Sequence, residues 1–294
     1  MAPNDLPKQN RLMRKSAALI AILIGLSGKL SAQKDFPEAN RYITRATSYG
    51  VGYTKILDTY LSPQEYMGVE GRIYRESMRL TRLFDGNISL QNIFQANLSY
   101  THNKVDNNNT FAGLVNWDYG LHYQFRLGNN LKLLAGALGD FNCGFVYNLQ
   151  NTNNPASAKA YINLAASGMA IYRFHIKNIP FVARYQANVP VAGVLFSPNY
   201  GQSYYEIFTL GNSDGVIKFT TPKTQPAIRQ LLSLDFPVLS AKLRLSYLWD
   251  IQQSNVNQLK THTYSHIFMA GFVKELYRVK HKDGDLLPSR MKAY

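Results

Sequence analysis

The sequence predicts an all-β fold, an up-and-down antiparallel transmembrane β-barrel of about ten strands. Three observations lead to this prediction: apolar and polar residues alternate along most of the chain, short and long connections alternate between the segments, and the N-terminus has the layout of an export signal. A wall that is apolar on one face and polar on the other is typical of outer-membrane barrels.

The first segment has the order of regions found in secretory signal peptides. Basic residues lie at 11–15, the apolar run Ala17–Leu26 follows, and small residues lead up to Ala32. This order predicts cleavage after Ala32. We therefore expect a signal peptide at 1–32, export by the Sec pathway, and one barrel domain at 33–294.

The alternation is clearest at positions 116–128. One face carries Trp117, Tyr119, Leu121, Tyr123, Phe125 and Leu127, and the other carries Asn116, Asp118, Gly120, His122, Gln124, Arg126 and Gly128. Successive side chains of a strand point to opposite faces, so the first set is expected to face lipid and the second the lumen. An arginine in place of Leu121 should then cost roughly 2–4 kcal/mol, whereas one at Gly120 or Gln124 should be tolerated.

Comparable segments predict the rest of the wall, which is expected to span about 44–280. They are Thr44–Ile56, Tyr66–Leu83, Ile88–His102, Leu131–Leu149, Ala160–Ile176, Phe181–Leu195, Ile228–Phe236, Lys242–Gln252 and Thr261–Lys280. A strand needs roughly 9–11 residues to cross a bilayer. Two further arms, Ile207–Leu210 and Val216–Thr220, would give twelve strands if they joined the wall, but their short length favours a hairpin within a loop.

The connections predict the orientation of the barrel. Short turns are expected at 84–87, 128–130, 177–180 and 237–241, and longer polar links at 57–65, 103–110, 150–158, 196–227 and 253–260. Outer-membrane barrels have short periplasmic turns and longer external loops. The pattern therefore predicts periplasmic termini, an even number of strands and an external position for the loop 196–227.

The amino-acid composition limits the kinds of partner that we expect. The net charge of +14 comes from basic residues scattered along the chain, which favours outer-membrane lipid or lipopolysaccharide phosphates over nucleic acid. Twenty tyrosines and fifteen phenylalanines suit aromatic girdles at the membrane interfaces. The single cysteine, Cys143, excludes an intrachain disulfide. No phosphate-binding loop, cofactor fingerprint or metal-ligand cluster occurs, so no cofactor or metal is expected.

Two sets of residues are candidate sites. In the long loop, an extracellular ligand could contact Asn199, Tyr200, Gln202, Ser203, Tyr204, Tyr205 and Glu206, although the tyrosines could equally pack the loop over the barrel mouth. In the lumen lie Asp118, His122, Arg126, Asp140, Arg173, Arg184, Arg229, Asp235, Arg244 and Asp250. These charges could line a conduit for a small solute, or form ion pairs that fill a narrow barrel.

A catalytic serine must lie within hydrogen-bond reach of a histidine. The nearest such grouping along one strand is His262, Ser265 and His266, in which the serine falls on the opposite face from both histidines. The sequence therefore predicts a non-enzymatic barrel with a structural or surface-binding role. A porin-like transport channel and a lipid-modifying enzyme are the alternatives.

Five segments resemble one family. The segments are Tyr66–Gly71, Asn108–Leu121, Asn153–Ile162, Ser197–Glu206 and Thr261–His266, and the resemblance extends from about Tyr42 to Tyr277. The chain is similar to an uncharacterised family of outer-membrane β-barrel proteins from diderm anaerobes. The resemblance implies location and architecture but no activity. The chain departs from the usual barrel ending because residues 281–294 continue past the last strand.

Overall fold

The strands follow the alternating segments of the sequence. The structure is a computed structural model that describes residues 42–239 and 241–277. Its strands are β1 (Tyr42–Asp58), β2 (Ser62–Leu80), β3 (Ile88–Asn103), β4 (Asn109–Leu127), β5 (Leu131–Asn148), β6 (Ala156–Ile176), β7 (Ile179–Phe196), β8 (Ile217–Thr220), β9 (Ala227–Val238), β10 (Ala241–Val256) and β11 (Leu259–Tyr277). A short helix, α1, spans Tyr204–Phe208, and a 3-10 turn spans Leu83–Gly86. Among the described residues no helix is long and apolar enough to cross a membrane. The expected signal peptide at 1–32 and the tail at 281–294 lie outside this part of the chain.

Ten of the strands close into a ring. Each strand from β1 to β7 pairs antiparallel with the next, and the ring continues through β9, β10 and β11. β11 returns to β1 along its full length, from Tyr42 opposite Tyr277 to Asp58 opposite Thr261. Closure leaves no exposed sheet edge in the ring. The predicted ten-stranded antiparallel barrel is confirmed.

The twelve-strand alternative is wrong. The first predicted arm, Ile207–Leu210, begins inside helix α1. The second arm contains β8, which pairs with β7 at Gly193–Phe196 and is not a member of the ten-strand ring. In place of the predicted loop hairpin, the structure has a helix and a strand that pairs with β7 outside the ring.

β8 and β9 run along the same edge of β7 with an interruption between them. Asn188 of β7 pairs with Arg229 of β9, and Gly193 of β7 pairs with Thr220 of β8. Between these two pairs the chain advances by five residues along β7, from 188 to 193, but by nine residues from β8 to β9, from 220 to 229. The extra residues form a turn at 221–224 that contains a proline, which has no backbone N–H to donate to a ladder.

The two faces of the wall differ as the alternation predicts. On β4, outward Trp117, Tyr119, Leu121 and Phe125 are each 38–45% exposed, whereas inward Asp118 is almost fully buried. Exposed apolar side chains occur on the outward face of every strand of the ring. Such a surface is stable in hydrocarbon. The closed ladder supplies the hydrogen bonds of the backbone N–H and C=O groups, which lipid tails cannot provide.

The expectation that β4 tolerates an arginine at Gly120 is wrong. Gly120 faces inward, but a Cβ at this position would lie 2.1 Å from the backbone oxygen of Ala137 on β5. The two backbones approach so closely that no side chain fits between them. An arginine at Gly120 is therefore excluded by sterics, and Gln124 is the remaining lumen-facing comparison for Leu121.

The connections at one end of the barrel are shorter than the sequence predicts. The expected long links at 57–65 and 253–260 are turns of three and two residues, at 59–61 and 257–258. Both turns lie at the end of the barrel that carries the connection 197–226. We call this end the loop end. The opposite end, which carries residues 42 and 277, is the terminal end. A strict alternation of short and long links is absent, and one long connection distinguishes the two ends.

The interior is not purely polar. An inward-facing apolar cluster packs inside the barrel and consists of Tyr74, Ile93, Leu231, Leu248, Ile267 and Met269. A second cluster of Ile56, Ala112 and Val146, with Leu61 against it, lies nearer the loop end. These side chains fill part of the lumen, so the polar network described below is packed against an apolar core.

Candidate functional site: the lumen network and the loop over the mouth

Side chains from distant strands meet in the middle of the barrel. Arg72 of β2 donates from Nη1 to Asp250 Oδ2 on β10 at 2.8 Å, and from Nε to Glu70 Oε1 at 2.7 Å. Arg229 of β9 donates to Asn116 Oδ1 on β4 at 3.0 Å and lies 3.3 Å from Asp118 Oδ2. The bonds from Arg72 to Asp250 and from Arg229 to Asn116 join strands that are not neighbours in the ring, whereas Glu70 holds Arg72 from the same strand.

A second network lies around Glu76. Its two carboxylate oxygens accept from Arg184 Nη1 and Nη2, both at 2.7 Å, and from Gln91 Nε2 at 2.6 Å. Arg244 Nη1 adds a fourth donor at 2.9 Å and also pairs with Asp235. Glu76 on β2 and Arg184 on β7 lie five strands apart in a ring of ten. This bidentate pair therefore crosses the full width of the barrel.

The structure places most of the sequence-derived lumen residues inside. Eight are buried: Asp118, His122, Asp140, Arg184, Arg229, Asp235, Arg244 and Asp250. Arg126 is partly buried, and Arg173 is exposed near the terminal end of β6. Glu70, Arg72 and Glu76 of β2 join the networks. Arg75 of the same strand is exposed on the outward face.

A cavity lies above the networks at the loop end. It has a volume of about 100 Å³, and its lining includes Ile56, Val146 and Leu195, while Arg72 and Asp250 form part of its inner boundary. These last two residues form an ion pair at 2.8 Å, which also belongs to the first network. The cavity therefore lies on the loop-end side of both networks.

The structure brings together a serine and a histidine that sequence spacing did not pair. His122 Nε2 lies 2.8 Å from Ser167 Oγ, across from β4 to β6, and Ser167 Oγ donates to Asn188 Oδ1 at 2.7 Å. Catalysis would require a group that orients the histidine through Nδ1 and access for a substrate. His122 Nδ1 has no hydrogen-bond partner among the described residues, and its side chain is fully buried. The pair therefore belongs to the packed interior.

The long loop is folded over the mouth of the barrel. Ser203 caps α1: its Oγ accepts from the Glu206 N–H at 3.2 Å, and its own N–H donates to Glu206 Oε2 at 2.7 Å. This reciprocal capping box fixes the start of the helix. Tyr204 then stacks on Phe208, and its hydroxyl accepts from the Ala158 N–H of β6 at 2.6 Å. The helix is thereby attached to the rim of the wall.

The remaining loop residues divide into internal braces and exposed side chains. Gln202 Oε1 accepts from the side-chain amide of Asn199 at 3.1 Å, and Gln202 Nε2 donates to the Asn212 carbonyl at 2.6 Å. Tyr200 and Tyr205 project outward and are 71% and 62% exposed. Of the three tyrosines in the predicted loop site, Tyr204 thus packs the loop onto the mouth, and the other two face solvent.

Two ionisable groups at the loop end have shifted pKa values. The hydrogen bonds from the Ser203 N–H and hydroxyl lower the pKa of the Glu206 carboxyl. Burial in the turn between β1 and β2, with Tyr204 and Asp58 nearby, raises the pKa of Tyr60 to about 12. Both shifts arise from the contacts that hold the loop and the first turn in place.

Within the part of the chain that the structure describes, no group of three or more His, Cys, Asp or Glu side chains is arranged to hold a metal ion. A closed antiparallel ring with an apolar outer wall and a mainly polar, filled interior defines the class of this protein. It is a membrane-spanning β-barrel of the outer-membrane type.

The chain belongs to the family described as protein of unknown function (DUF3316), which matches residues 18–283. The expected membership of an uncharacterised barrel family is thereby confirmed. No curated protein matches the chain.

Similar solved structures include the transport unit of the autotransporter AIDA-I from Escherichia coli, with 11% identity, coverage of 88% of this chain and 97% of that one, and a TM-score of 0.47. The outer membrane protease OmpT from Escherichia coli has 7% identity, coverage of 83% and 99%, and a TM-score of 0.43. The translocator domain of the autotransporter NalP from Neisseria meningitidis has 10% identity, coverage of 92% and 97%, and a TM-score of 0.36.

Proposed function

We propose that this protein is a non-enzymatic barrel of the bacterial outer membrane that binds a ligand at the cell surface through the loop 196–227. Sec export with removal of residues 1–32, periplasmic termini and an external loop end are parts of this proposal. The observation that carries it is the contrast between a lumen crossed by side-chain ion pairs and an ordered loop that presents exposed aromatic rings.

The loop has the physical properties of a recognition surface. Tyr200, Tyr205 and Phe208 are each more than 60% exposed, although the segment that bears them is braced by a capping box and by ring stacking on Phe196. Aromatic anchors tend to dominate binding energy. Their preorganisation lowers the entropy lost on binding. Tyrosine rings with polar neighbours suit sugars or peptides of an extracellular ligand.

The outward wall supports contact with outer-membrane lipid or lipopolysaccharide as a second partner. Its apolar band would lie in hydrocarbon, and basic side chains near the strand ends would meet lipid phosphates.

The two alternatives receive less support. A channel for small solutes requires a water-filled path, but Arg184 and Glu76 meet across the barrel at 2.7 Å. A lipid-modifying enzyme requires an accessible nucleophile, but Ser167 and His122 are buried in the packed interior.

Surface labelling tests the orientation. A cysteine placed at Ser213, in a chain carrying Cys143→Ser, should react with a membrane-impermeant maleimide in intact cells. Failure of the reagent to reach position 213, with labelling after lysis, would reverse the proposed topology.

Ligand binding tests the role of the loop. The purified barrel in phospholipid nanodiscs is applied to glycan and peptide arrays, and hits are measured again with Tyr200→Ser and Tyr205→Ser. Removal of an aromatic anchor should weaken binding about tenfold or more. Phe84→Ser is the matched control, because Phe84 is equally exposed but lies at the terminal end. Binding that survives both tyrosine changes and deletion of 199–215 would remove the proposed role of the loop.

A further inference from the structure

The outward wall contains a groove that is separate from the lumen networks and from the exposed tyrosines of the loop. It crosses strands β4 to β8 near the loop end and has a volume of about 440 Å³. Cys143 of β5 and Ala160 of β6 lie opposite each other in the ladder and form its floor. Larger side chains form its sides, namely Trp117, Phe141, Val194 and Ile217.

Two irregularities of the fold produce this concave surface. The pairing of β6 with β7 shifts by one residue between Leu164 and Ala165, where β7 carries an extra residue, and such bulges bend a strand and increase its twist. The groove begins just beyond this bulge, at Ile162 and Val194. β8 then adds a raised edge, because Ile217 projects from a strand outside the ten-strand ring. Small floor residues, a bent wall and an added strand thus combine at one place.

The position of the groove determines the chemistry of its occupant. Trp117, Phe141, Ile162 and Val194 are exposed members of the outward apolar band, so the groove is continuous with the surface that contacts hydrocarbon. Water and polar ligands are excluded from this surface. Lipid tails are as apolar as the wall, so a chain gains no hydrophobic energy on entering. It gains instead the dispersion contacts that a concave surface provides over a flat one.

We propose that this groove is a binding site for one acyl chain of lipid A in the outer leaflet. The choice of leaflet rests on the external position of the loop end in the proposed function, since the groove lies in that half of the wall. The site itself does not depend on what the loop binds. A bound chain would hold a lipopolysaccharide molecule beside the loop and fix the orientation of the barrel in the outer leaflet.

The experiment uses Trp117 as the reporter, because it lines the groove. The full mature chain carrying Trp249→Phe is folded into vesicles of phosphatidylcholine with brominated chains, which quench tryptophan fluorescence, and unbrominated lipid A is added. If lipid A occupies the groove selectively, it should relieve quenching with an apparent preference of about tenfold over bulk lipid, equivalent to about 1.4 kcal/mol. Relief in simple proportion to its mole fraction would overturn the proposal. Equal relief by unbrominated phosphatidylglycerol would overturn the assignment to lipid A.

Variants that fill the groove test whether lipid A relieves quenching by binding there. Cys143→Phe and Ala160→Phe should each reduce the relief to the mole fraction of lipid A. Ala137→Phe is the matched control, because Ala137 faces outward on the same strand as Cys143, six residues away and outside the groove. Folding of each variant is checked by heat-modifiable gel mobility, and Cys143→Leu replaces any phenylalanine variant that does not fold. Unchanged selectivity in folded variants that fill the groove would refute the site, whatever the outcome for loop binding.

Discussion

Replacement of Glu76 by glutamine should strongly destabilise the barrel. The carboxylate of Glu76 accepts hydrogen bonds from Arg184, Arg244 and Gln91, four donors to two oxygens at 2.6–2.9 Å. The amide of glutamine would direct an N–H group at these donors and remove the negative charge between two guanidinium groups. Arg244 would keep Asp235, but Arg184 would lose its bidentate partner. Breaking a buried ion pair in this way costs roughly 3–5 kcal/mol.

The assay is reversible urea unfolding from phospholipid vesicles, followed by tryptophan fluorescence. Glu275→Gln is the control, since Glu275 pairs with Lys242 at 2.6 Å on the exposed surface near the terminal end. An exposed pair contributes about 0–1 kcal/mol, so this variant should unfold almost like the original protein. A loss below about 1 kcal/mol for Glu76→Gln would refute the reasoning, because a carboxylate so weakly coupled cannot connect the two sides of the barrel.

Three further predictions concern the wall and the loop. Leu121→Arg should cost roughly 2–4 kcal/mol in the same unfolding assay, whereas Gln124→Arg, which faces the lumen near the terminal end, should cost less; equal losses would contradict the assigned faces. Gly136→Ala should prevent folding into vesicles, seen as loss of heat-modifiable mobility, because a Cβ there would lie 1.9 Å from a backbone oxygen of β4; normal folding would contradict this close approach. Ser203→Ala should raise the pKa of the Glu206 carboxyl part of the way towards its ordinary value in an NMR titration, because it removes the hydroxyl bond and keeps the larger contribution of the Ser203 backbone N–H; an unchanged pKa would refute the contribution of the hydroxyl. Since the folded pKa is lowered, the contribution of this carboxylate to loop stability is present above the ordinary glutamate pKa and is lost as the pH falls through the lowered value.

The strands and their faces could be predicted because a period of two is a local property of the sequence. Side chains at 117–125 alternate so strictly that the lipid-facing set follows from the residues alone. The turn at 257–258 is shorter than the predicted link 253–260, because polar residues such as Gln253 and Ser254 resemble a loop in the sequence. In the structure both lie on β10, and Asn257 and Gln258 form a two-residue turn with positive φ angles.

The networks could not be predicted from local patterns. Contact between Ser167 and His122 depends on the registers of β4, β5 and β6 together, and the pair formed by Glu76 and Arg184 depends on closure of the ring. The apolar inner cluster around Leu248 was missed for a related reason. An alternating pattern indicates which face is lipid-facing, but the width of a closed ring decides whether the inner face is wet or packed.

The loop shows the same division between local and non-local information. Ser203 and Glu206 have capping-box spacing, which is visible in the sequence. The stacking of Tyr204 against Phe196 and Phe208 requires the chain to return over the mouth, so sequence alone left open whether this tyrosine binds a ligand or packs the loop.

Conductance across a planar lipid bilayer tests the central claim most directly, because a lumen closed by side chains cannot carry ions. The purified mature chain, with insertion verified by protease protection, should leave the bilayer at its baseline conductance at voltages of either sign. Steady, stepwise openings by the unmodified protein would contradict the account, since they would require a continuous aqueous path past Glu76 and Arg184.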